Sequence, residues 1–252
     1  MRVLRIELEA PVCSFRYPHF LVGRQLSFDM PPPSTIFGHI ASALGEWPDS
    51  TRLQFAYWFT ALGKGEDLEN QQIVVPAGGR FQVGRETHPT VLNATVQPTR
   101  REFLLGTRLV LYLNQIDLAD AFLQPRFPVV LGRSQDLACY RKVEEATLER
   151  SDRGYFEATI LPSHFRRRTA RGTTVLMPRY IGPPPQREAI FDRFIILRDR
   201  VYYLPVEAGN LFGSRQVLHI KNEPLELWID PQSPEKHKTH RIVWFHSFTG
   251  SS

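Results

Sequence analysis

Residues 31–45 have the sequence PPPSTIFGHIASALG, and this stretch predicts the first helix of the fold. Ser34 and Thr35 directly follow the prolines and are residue types that favour the N-cap of a helix. Apolar residues then recur at a spacing of four, which places them on one helical face: Ile36, Ile40 and Leu44. Gly45 suits the C-cap, so we expect a short amphipathic helix between Ser34 and Gly45.

The segments on either side of this helix predict strands and loops. Residues 4–9 alternate apolar and charged side chains, which is typical of a half-buried strand. Residues 11–33 are rich in proline and glycine and predict an extended loop. After the helix, residues 49–62 predict a second helix, residues 64–100 an irregular hairpin that projects from the body, and residues 103–113 a further strand.

A short helix over residues 117–124 follows, and the remainder of the chain is mostly β in character. We therefore predict an α+β fold: a ferredoxin-like β-α-β-β-α-β unit with a protruding β-hairpin, followed by a β-rich C-terminal half. Residues 1–140 would form the first domain, with the hairpin at about residues 70–102. Residues 141–252 would form the β-rich part, and the sequence leaves open whether that part is separate or continuous with the first.

The composition indicates a globular protein with a basic surface. The chain has 252 residues, 42% of them hydrophobic, and a formal net charge of +5. Of its 31 basic residues 26 are arginine, whose planar guanidinium grips phosphate and stacks on bases, so nucleic acid is a favoured partner. The alternative explanation for the high arginine count is high-GC codon usage, which also favours arginine. There is no signal-peptide pattern and no apolar run as long as a membrane span, so we expect a cytoplasmic protein without a membrane partner.

The sequence carries no motif of a common enzyme class. There is no P-loop, no HExxH zinc motif, no GxSxG nucleophile elbow and no dinucleotide-binding glycine pattern, and we expect no cofactor. Cys13 and Cys139 are isolated and no histidine pair has a third ligand nearby, so we expect no metal site. A metal-independent ribonuclease stays open, because His19 with Tyr17, or His164 beside the arginines, would supply a general acid and base.

The densest basic cluster is residues 164–171, HFRRRTAR. Its candidate phosphate-binding residues are Arg166, Arg167 and Arg168. Phe165 would offer a stacking face to a base. A solvated loop or an acidic protein partner are the alternatives.

Two further segments resemble anion sites at helix starts. Ser34 and Thr35 form the first, because exposed backbone N–H groups and the helix dipole favour phosphate there. Residues 132–134, Gly-Arg-Ser, form the second: glycine permits close approach, Arg133 supplies the guanidinium, and Ser134 would cap a short helix over residues 135–140. Ordinary helix caps are the alternative. The predicted hairpin adds Arg80, Arg85, Arg100 and Arg101.

Four short motifs, taken in order, resemble a known family. They are APVCSFRYP at residues 10–18, the helix motif at residues 31–45, PTRREFL at residues 98–104 and VLGRSQD at residues 130–136. Together they are similar to the CRISPR-associated protein five family of the RAMP superfamily, within type I Cascade. The match is loose in the second half of the chain, and we interpret the chain as type I-B-like.

The resemblance implies a ferredoxin-like, RRM-related domain with a hairpin thumb that packs against a backbone subunit of the complex. It also implies a pocket for the 5′ handle of the crRNA, beside the large subunit that reads the PAM, so target DNA near the PAM is a further partner. By position, the residues that map onto these regions are Arg16, Ser34, Thr35, Gly38, Arg100, Arg101, Gly132, Arg133 and Ser134.

One branch of this family cuts its own guide precursor with a Tyr, Lys and His constellation. None of the five lysines lies in a matched motif. We therefore expect a non-catalytic subunit that binds the 5′ handle and bridges the backbone and large subunits, in antiviral defence or RNA-guided DNA targeting. The alternative is a metal-independent endoribonuclease that processes pre-crRNA. A generic RRM-like RNA binder is disfavoured, because residues 103–110 lack the aromatic pattern of RNP1.

Overall fold

The computed structural model describes residues 1–19, 23–167, 169, 171–203 and 227–249 of the chain. The strands in these residues are β1 (Arg2–Cys13), β2 (Arg24–Gln25), β3 (Gln54–Thr60), β4 (Gly63–Val83), β5 (Glu86–Leu113), β6 (Cys139–Thr147), β7 (Glu149–Ser151), β8 (Gly154–Phe156), β9 (Thr159–Pro162), β10 (Thr173–Ile181), β11 (Ala189–Leu197), β12 (Val201–Tyr203), β13 (Leu227–Asp230), β14 (Arg241–Val243) and β15 (His246–Ser247). The α-helices are α1 (Pro33–Leu44) and α2 (Ala119–Leu123), and 3₁₀ helices cover Ile116–Leu118 and Ser163–Arg167. The described part of the chain is thus β-rich with few helices, and none of those helices is long and apolar enough to cross a membrane.

The main sheet is built from β1–β6 and β15. Its strand order is β15-β3-β5-β1-β6, and the neighbouring strands are antiparallel. The short strand β2 pairs with β5 in parallel, and β4 pairs with β5 as the other half of a hairpin. The predicted alternation in β1 is confirmed, because Leu4, Ile6 and Leu8 all enter the largest apolar core cluster.

Both α-helices pack on the same face of the main sheet. Ile36, Phe37 and Ile40 of α1 are buried in the cluster that contains the apolar side chains of β1. Phe122 of α2 is 1% exposed and joins the same cluster. The predicted short helix near residues 117–124 is therefore present, as a 3₁₀ turn followed by α2.

The start of α1 differs from the prediction, whereas its end is confirmed. Pro32 is the N-cap residue, and its carbonyl accepts the N–H groups of Thr35 at 2.9 Å and Ile36 at 3.2 Å. Proline suits the first helical position because its missing N–H would have no partner there, so the helix begins at Pro33. At the other end Gly45 has a φ of 83° and donates its N–H to Ala41 at 2.8 Å.

The second helix predicted over residues 49–62 is wrong, because this segment forms β3. Phe55, Tyr57 and Phe59 alternate along β3 and enter the same core as β1. Ala56 and Trp58 point to the other face, where they meet a second apolar cluster. A strand buried on both faces lacks the polar alternation that marks a half-buried strand. The apolar run of β3 therefore resembled a helix in the sequence.

The long hairpin β4–β5 leaves the main sheet near Thr99. Its pairing runs from Gly63 opposite Leu105 to Val83 opposite Glu86, with irregularities around Pro76. Within the described residues β4 and β5 have no other paired strand from Glu69 outwards, which gives a two-stranded ribbon of about 45 Å.

Two smaller sheets follow in the chain. Strands β9–β11 form one, in the order β10-β11-β9, and β12-β8-β14-β13-β7 form the other. Ile160 of β9 and Phe194 of β11 enter the same core cluster as β1 and α1. The five-stranded sheet contacts the opposite face of the main sheet. There the Tyr112 hydroxyl of β5 donates to the buried Asp230 carboxylate of β13 at 2.5 Å.

Candidate nucleic-acid interface

The segment 130–137 is a tight loop that presents Arg133. Val130 and Leu137 form an isolated antiparallel bridge. The Leu131 N–H donates to the Asp136 carbonyl at 2.9 Å, and the Asp136 N–H donates to the Arg133 carbonyl at 3.0 Å. The short helix predicted over residues 135–140 is therefore wrong, and Ser134 lies exposed in a turn rather than at a helix cap.

Gly132 is the point at which this loop touches the end of β1. Its φ is 102°, a region that residues with a side chain rarely adopt. A Cβ at Gly132 would lie 2.5 Å from the backbone oxygen of Ser14. The two constraints are independent, and together they require glycine here.

Asp136 holds both the loop and the Arg133 side chain in place. Asp136 is 3% exposed. It accepts the backbone N–H of Ser14 at 3.0 Å, the backbone N–H of Arg133 at 3.2 Å, and the Arg133 guanidinium with Nη2 at 2.7 Å. Because the hydrogen bond to Asp136 favours the charged guanidinium, the pKa of Arg133 is raised.

Glu69 brings a second arginine to the same place from the base of the hairpin. Arg101 Nε lies 2.8 Å from one oxygen of the Glu69 carboxylate, and Arg133 Nη1 donates to the other. Both arginine side chains are 13% exposed, and that of Glu69 is 21% exposed. Burial is the main cause that lowers the pKa of Arg101, and the positive charges of Arg133 and Arg16 add to it.

The structure thus brings together four of the predicted residues, Arg16, Arg101, Gly132 and Arg133, although they come from three separate motifs. Arg16 is exposed, just after β1. We name this group, with Glu69 and Asp136, the arginine corner. Asp136 is the last residue of the motif at residues 130–136, whereas Glu69 lies in no motif, so the sequence carried a signal for Asp136 alone.

Arg100 lies beside the arginine corner on the other face of the hairpin. Successive residues of a strand point to opposite faces, so the side chains of Arg100 and Arg101 diverge. The Arg100 N–H donates to the Gly23 carbonyl at 2.9 Å, and Arg24 pairs with Arg100 between β2 and β5. Arg100 is exposed.

Other predicted residues lie away from the arginine corner. Arg80 and Arg85 are exposed near the tip of the hairpin, more than about 30 Å from Glu69 along the strand. Ser34 and Thr35 lie in the first turn of α1, where no side chain caps the helix, so the predicted N-cap role is wrong. Gly38 lies in the middle of α1, with open space where a Cβ would be.

In the basic cluster at residues 164–171, the predicted stacking role of Phe165 is wrong. Phe165 is fully buried and packs edge-on against Trp244 at 4.8 Å, so it offers no stacking face. Arg166 is exposed and donates to the backbone carbonyl of Gly172 at 3.0 Å. Arg168 and the side chain of Arg167 lie outside the described residues.

The candidate acid–base residues for ribonuclease chemistry, Tyr17, His19 and His164, each lie against a different aromatic ring. Tyr17 stacks on Phe28 with ring centroids 3.7 Å apart, and burial raises its pKa. The His19 ring lies 6.1 Å from that of Phe191, and the exposed His164 lies against Phe165. Within the described ranges, no group of three or more His, Cys, Asp or Glu side chains is placed to hold a metal ion.

Comparisons with known proteins bear on the family and the fold of this chain. A family model described as CRISPR-associated protein (Cas_Cas5) matches residues 3–193. A chain of a structure titled "CRISPR RNA-guided surveillance complex" has a TM-score of 0.51 at 15% identity, with 79% of this chain and 91% of that chain covered. A CRISPR protein from Archaeoglobus fulgidus covers 98% of this chain and 99% of its own, at 12% identity and a TM-score of 0.44. Curated protein sequences give no match.

Proposed function

Because the chain belongs to the Cas5 family of CRISPR-associated proteins, we propose that it is a non-catalytic RNA-binding subunit of a type I effector complex, which holds the 5′ handle of the crRNA. The observation that carries this proposal is the arginine corner. There Arg16, Arg101 and Arg133 converge at the base of the hairpin, and Gly132 brings the loop that carries Arg133 against Ser14 at the end of β1.

The chemistry of the arginine corner suits a phosphate backbone. Guanidinium groups donate paired hydrogen bonds to phosphate oxygens, and these charge-assisted bonds are stronger than neutral ones. The Asp136 carboxylate accepts hydrogen bonds from Nε and Nη2 of Arg133, so the guanidinium is oriented before a ligand binds. Neutralising phosphates also releases counterions, so binding should weaken steeply with salt.

The topology supports the ferredoxin-like part of the proposal. Strands β1, β3, β5 and β6 alternate with helices in the order β-α-β-β-α-β and lie in the spatial order β6-β1-β5-β3. Those are the element order and one-sided helix packing of a ferredoxin-like unit. In this proposal the hairpin is an insertion between its two middle strands.

The hairpin supports a bridging role between subunits. Its exposed apolar side chains are Leu68, Ile73, Val74, Val75, Phe81, Val83, Val91 and Val96. Exposed apolar patches of this kind mark sites at which another protein binds. We propose that the backbone subunit covers this ribbon, and that the large subunit and target DNA near the PAM lie beside the arginine corner.

Removing an exposed arginine at this site should weaken RNA binding without unfolding the protein. We expect Arg16→Ala to weaken binding of a labelled repeat RNA about three- to tenfold and to reduce the slope of log affinity against log salt by about one. The measurement is fluorescence anisotropy without divalent metal, with the same samples run on a denaturing gel.

Arg52→Ala is the matched control, because it removes the same charge at the opposite end of the main sheet. Arg52 is exposed, and its carbonyl accepts from Asn114, which follows the end of β5 distant from Ser14. Equal losses for Arg52→Ala and Arg16→Ala would assign the effect to net charge alone. Cleavage within the repeat on the denaturing gel would replace the non-catalytic role by that of a processing endoribonuclease.

A further inference from the structure

We propose that the position of the Glu69 carboxylate is a phosphate subsite, and that Glu69 is an internal anion which an RNA phosphate displaces. The inference rests on the proposed function and names the atoms that would hold one phosphate of the RNA. Its donors are the guanidinium groups of Arg101 and Arg133 and the side-chain amide of Gln135. Neither Glu69 nor Gln135 was predicted from the sequence as a binding residue.

Three side chains from two segments, β5 and the loop 130–137, converge on the two oxygens of this one carboxylate. Arg101 Nε approaches Oε2 at 2.8 Å, while Arg133 Nη1 and Gln135 Nε2 donate to Oε1, the latter at 3.1 Å. A phosphodiester also presents two charged oxygens to such donors. The donor set therefore accepts a phosphate in place of the carboxylate without a change in local charge.

Asp136 and Glu69 bind different nitrogens of the Arg133 guanidinium, and only Asp136 holds it in place. Its Nε and Nη2 bind Asp136, which is 3% exposed and also accepts two backbone N–H groups. Glu69 binds the remaining terminal nitrogen, Nη1, and comes from β4 across the hairpin base. Asp136 therefore orients the guanidinium, whereas Glu69 occupies the end of it that a ligand would use.

The exposure of Glu69 allows it to leave. Its side chain is 21% exposed, more than either arginine that it binds. A phosphate that takes the place of Glu69 keeps an anion beside both guanidinium groups, so displacement leaves neither arginine as an uncompensated buried charge. Three buried polar atoms beside Glu69 have no hydrogen-bond partner among the described residues. They are Arg101 Nε, whose contact with Glu69 is an ion pair, Thr99 Oγ1, on the residue opposite Glu69, and Gln25 Oε1, on the residue opposite Arg101.

The test compares RNA affinity of Glu69→Gln with that of wild type by anisotropy, using labelled repeat RNA at fixed ionic strength without divalent metal. We expect Glu69→Gln to bind about fivefold more tightly, because the competing anion is gone. Glu69→Asp keeps the charge but is one methylene too short to bridge both arginines, so it should also bind more tightly. Inorganic phosphate, exchanged for chloride at equal ionic strength, should compete with RNA more strongly on Glu69→Gln than on wild type.

Glu66→Gln is the matched control, since it neutralises a carboxylate of the same strand that binds Arg24 at 3.2 Å instead. An equal gain for Glu66→Gln, or unchanged or weaker binding by both folded Glu69 variants, would overturn the phosphate subsite while wild-type binding still supports the proposed function. Absence of RNA binding by every variant and by wild type would overturn both. Thermal melting identifies a variant that fails to fold. If Glu69→Gln fails to fold, the RNA affinity of Glu69→Asp tests the phosphate subsite.

Discussion

Gly132→Ala should destabilise the folded protein by about 3 kcal/mol and weaken RNA binding at least about tenfold. A φ of 102° is strained for any residue with a Cβ, and the new methyl group would lie 2.5 Å from the Ser14 carbonyl oxygen. A backbone oxygen cannot rotate away as a side chain can, so the loop must lift from β1. Arg133 would then leave Asp136, and the arginine corner would lose its best-oriented guanidinium. Urea unfolding measures the first effect and anisotropy the second.

Gly38→Ala is the control for the loss of a glycine in general. Gly38 lies in the interior of α1, and nothing lies within 4 Å of its missing Cβ. Alanine should therefore stabilise the helix by up to about 1 kcal/mol. If Gly132→Ala has the same unfolding free energy as wild type, the close approach of Gly132 to Ser14 does not restrict the loop. The RNA affinity of Gly38→Ala also tests the predicted role of Gly38 in binding.

Local patterns in the sequence predicted the elements whose signals are local. The alternation in β1 and the glycine that ends α1 each depend on a few adjacent residues, and both agree with the structure. The family resemblance mapped Arg16, Arg101 and Arg133 onto the regions that it implies, without joining them in one site. Their convergence depends on β1 and β5 being neighbours in the main sheet.

The errors arise where tertiary contacts decide between local alternatives. In β3 the run from Phe55 to Phe59 fits helical spacing as well as strand spacing, and pairing with β5 and β15 selects the strand. Phe165 stands among arginines in the sequence, which suggested an exposed aromatic. Its contact with Trp244, far along the chain, buries it instead.

Glu69 shows a limit of a different kind. It lies 64 residues from Arg133 and in a stretch with no motif. Register in the β4–β5 hairpin places Glu69 opposite Thr99 and thus two residues from Arg101. Neither periodicity nor composition encodes that register, because the predicted hairpin had no fixed pairing. An internal anion in the arginine corner was therefore visible only in the folded chain.

Acidification from pH 7 to pH 4 should destabilise the protein by on the order of 3 kcal/mol for each of two buried histidines. Burial lowers the pKa of His39 and of His246 from the usual 6.5 to about 4. His39 lies between the Val130 carbonyl, 3.0 Å from Nδ1, and the Tyr140 hydroxyl, 2.8 Å from Nε2, so the neutral ring is fully hydrogen-bonded. His246 lies 3.1 Å from the Ile160 carbonyl through Nε2, while its Nδ1 has no partner among the described residues.

The sign follows from which state binds the proton. Between pH 6.5 and pH 4 the unfolded histidines are protonated and the folded ones are not, so stability is complete above pH 6.5 and falls as the pH drops. His39→Asn and His246→Gln each keep a neutral side-chain amide donor near the same carbonyl. We expect each to lower stability at pH 7 but to remove about half of the histidine-dependent slope, and the double variant to remove both parts. Urea unfolding across this pH range provides the measurement. A double variant that keeps the wild-type slope would show that carboxylates, not these two rings, cause the acid sensitivity.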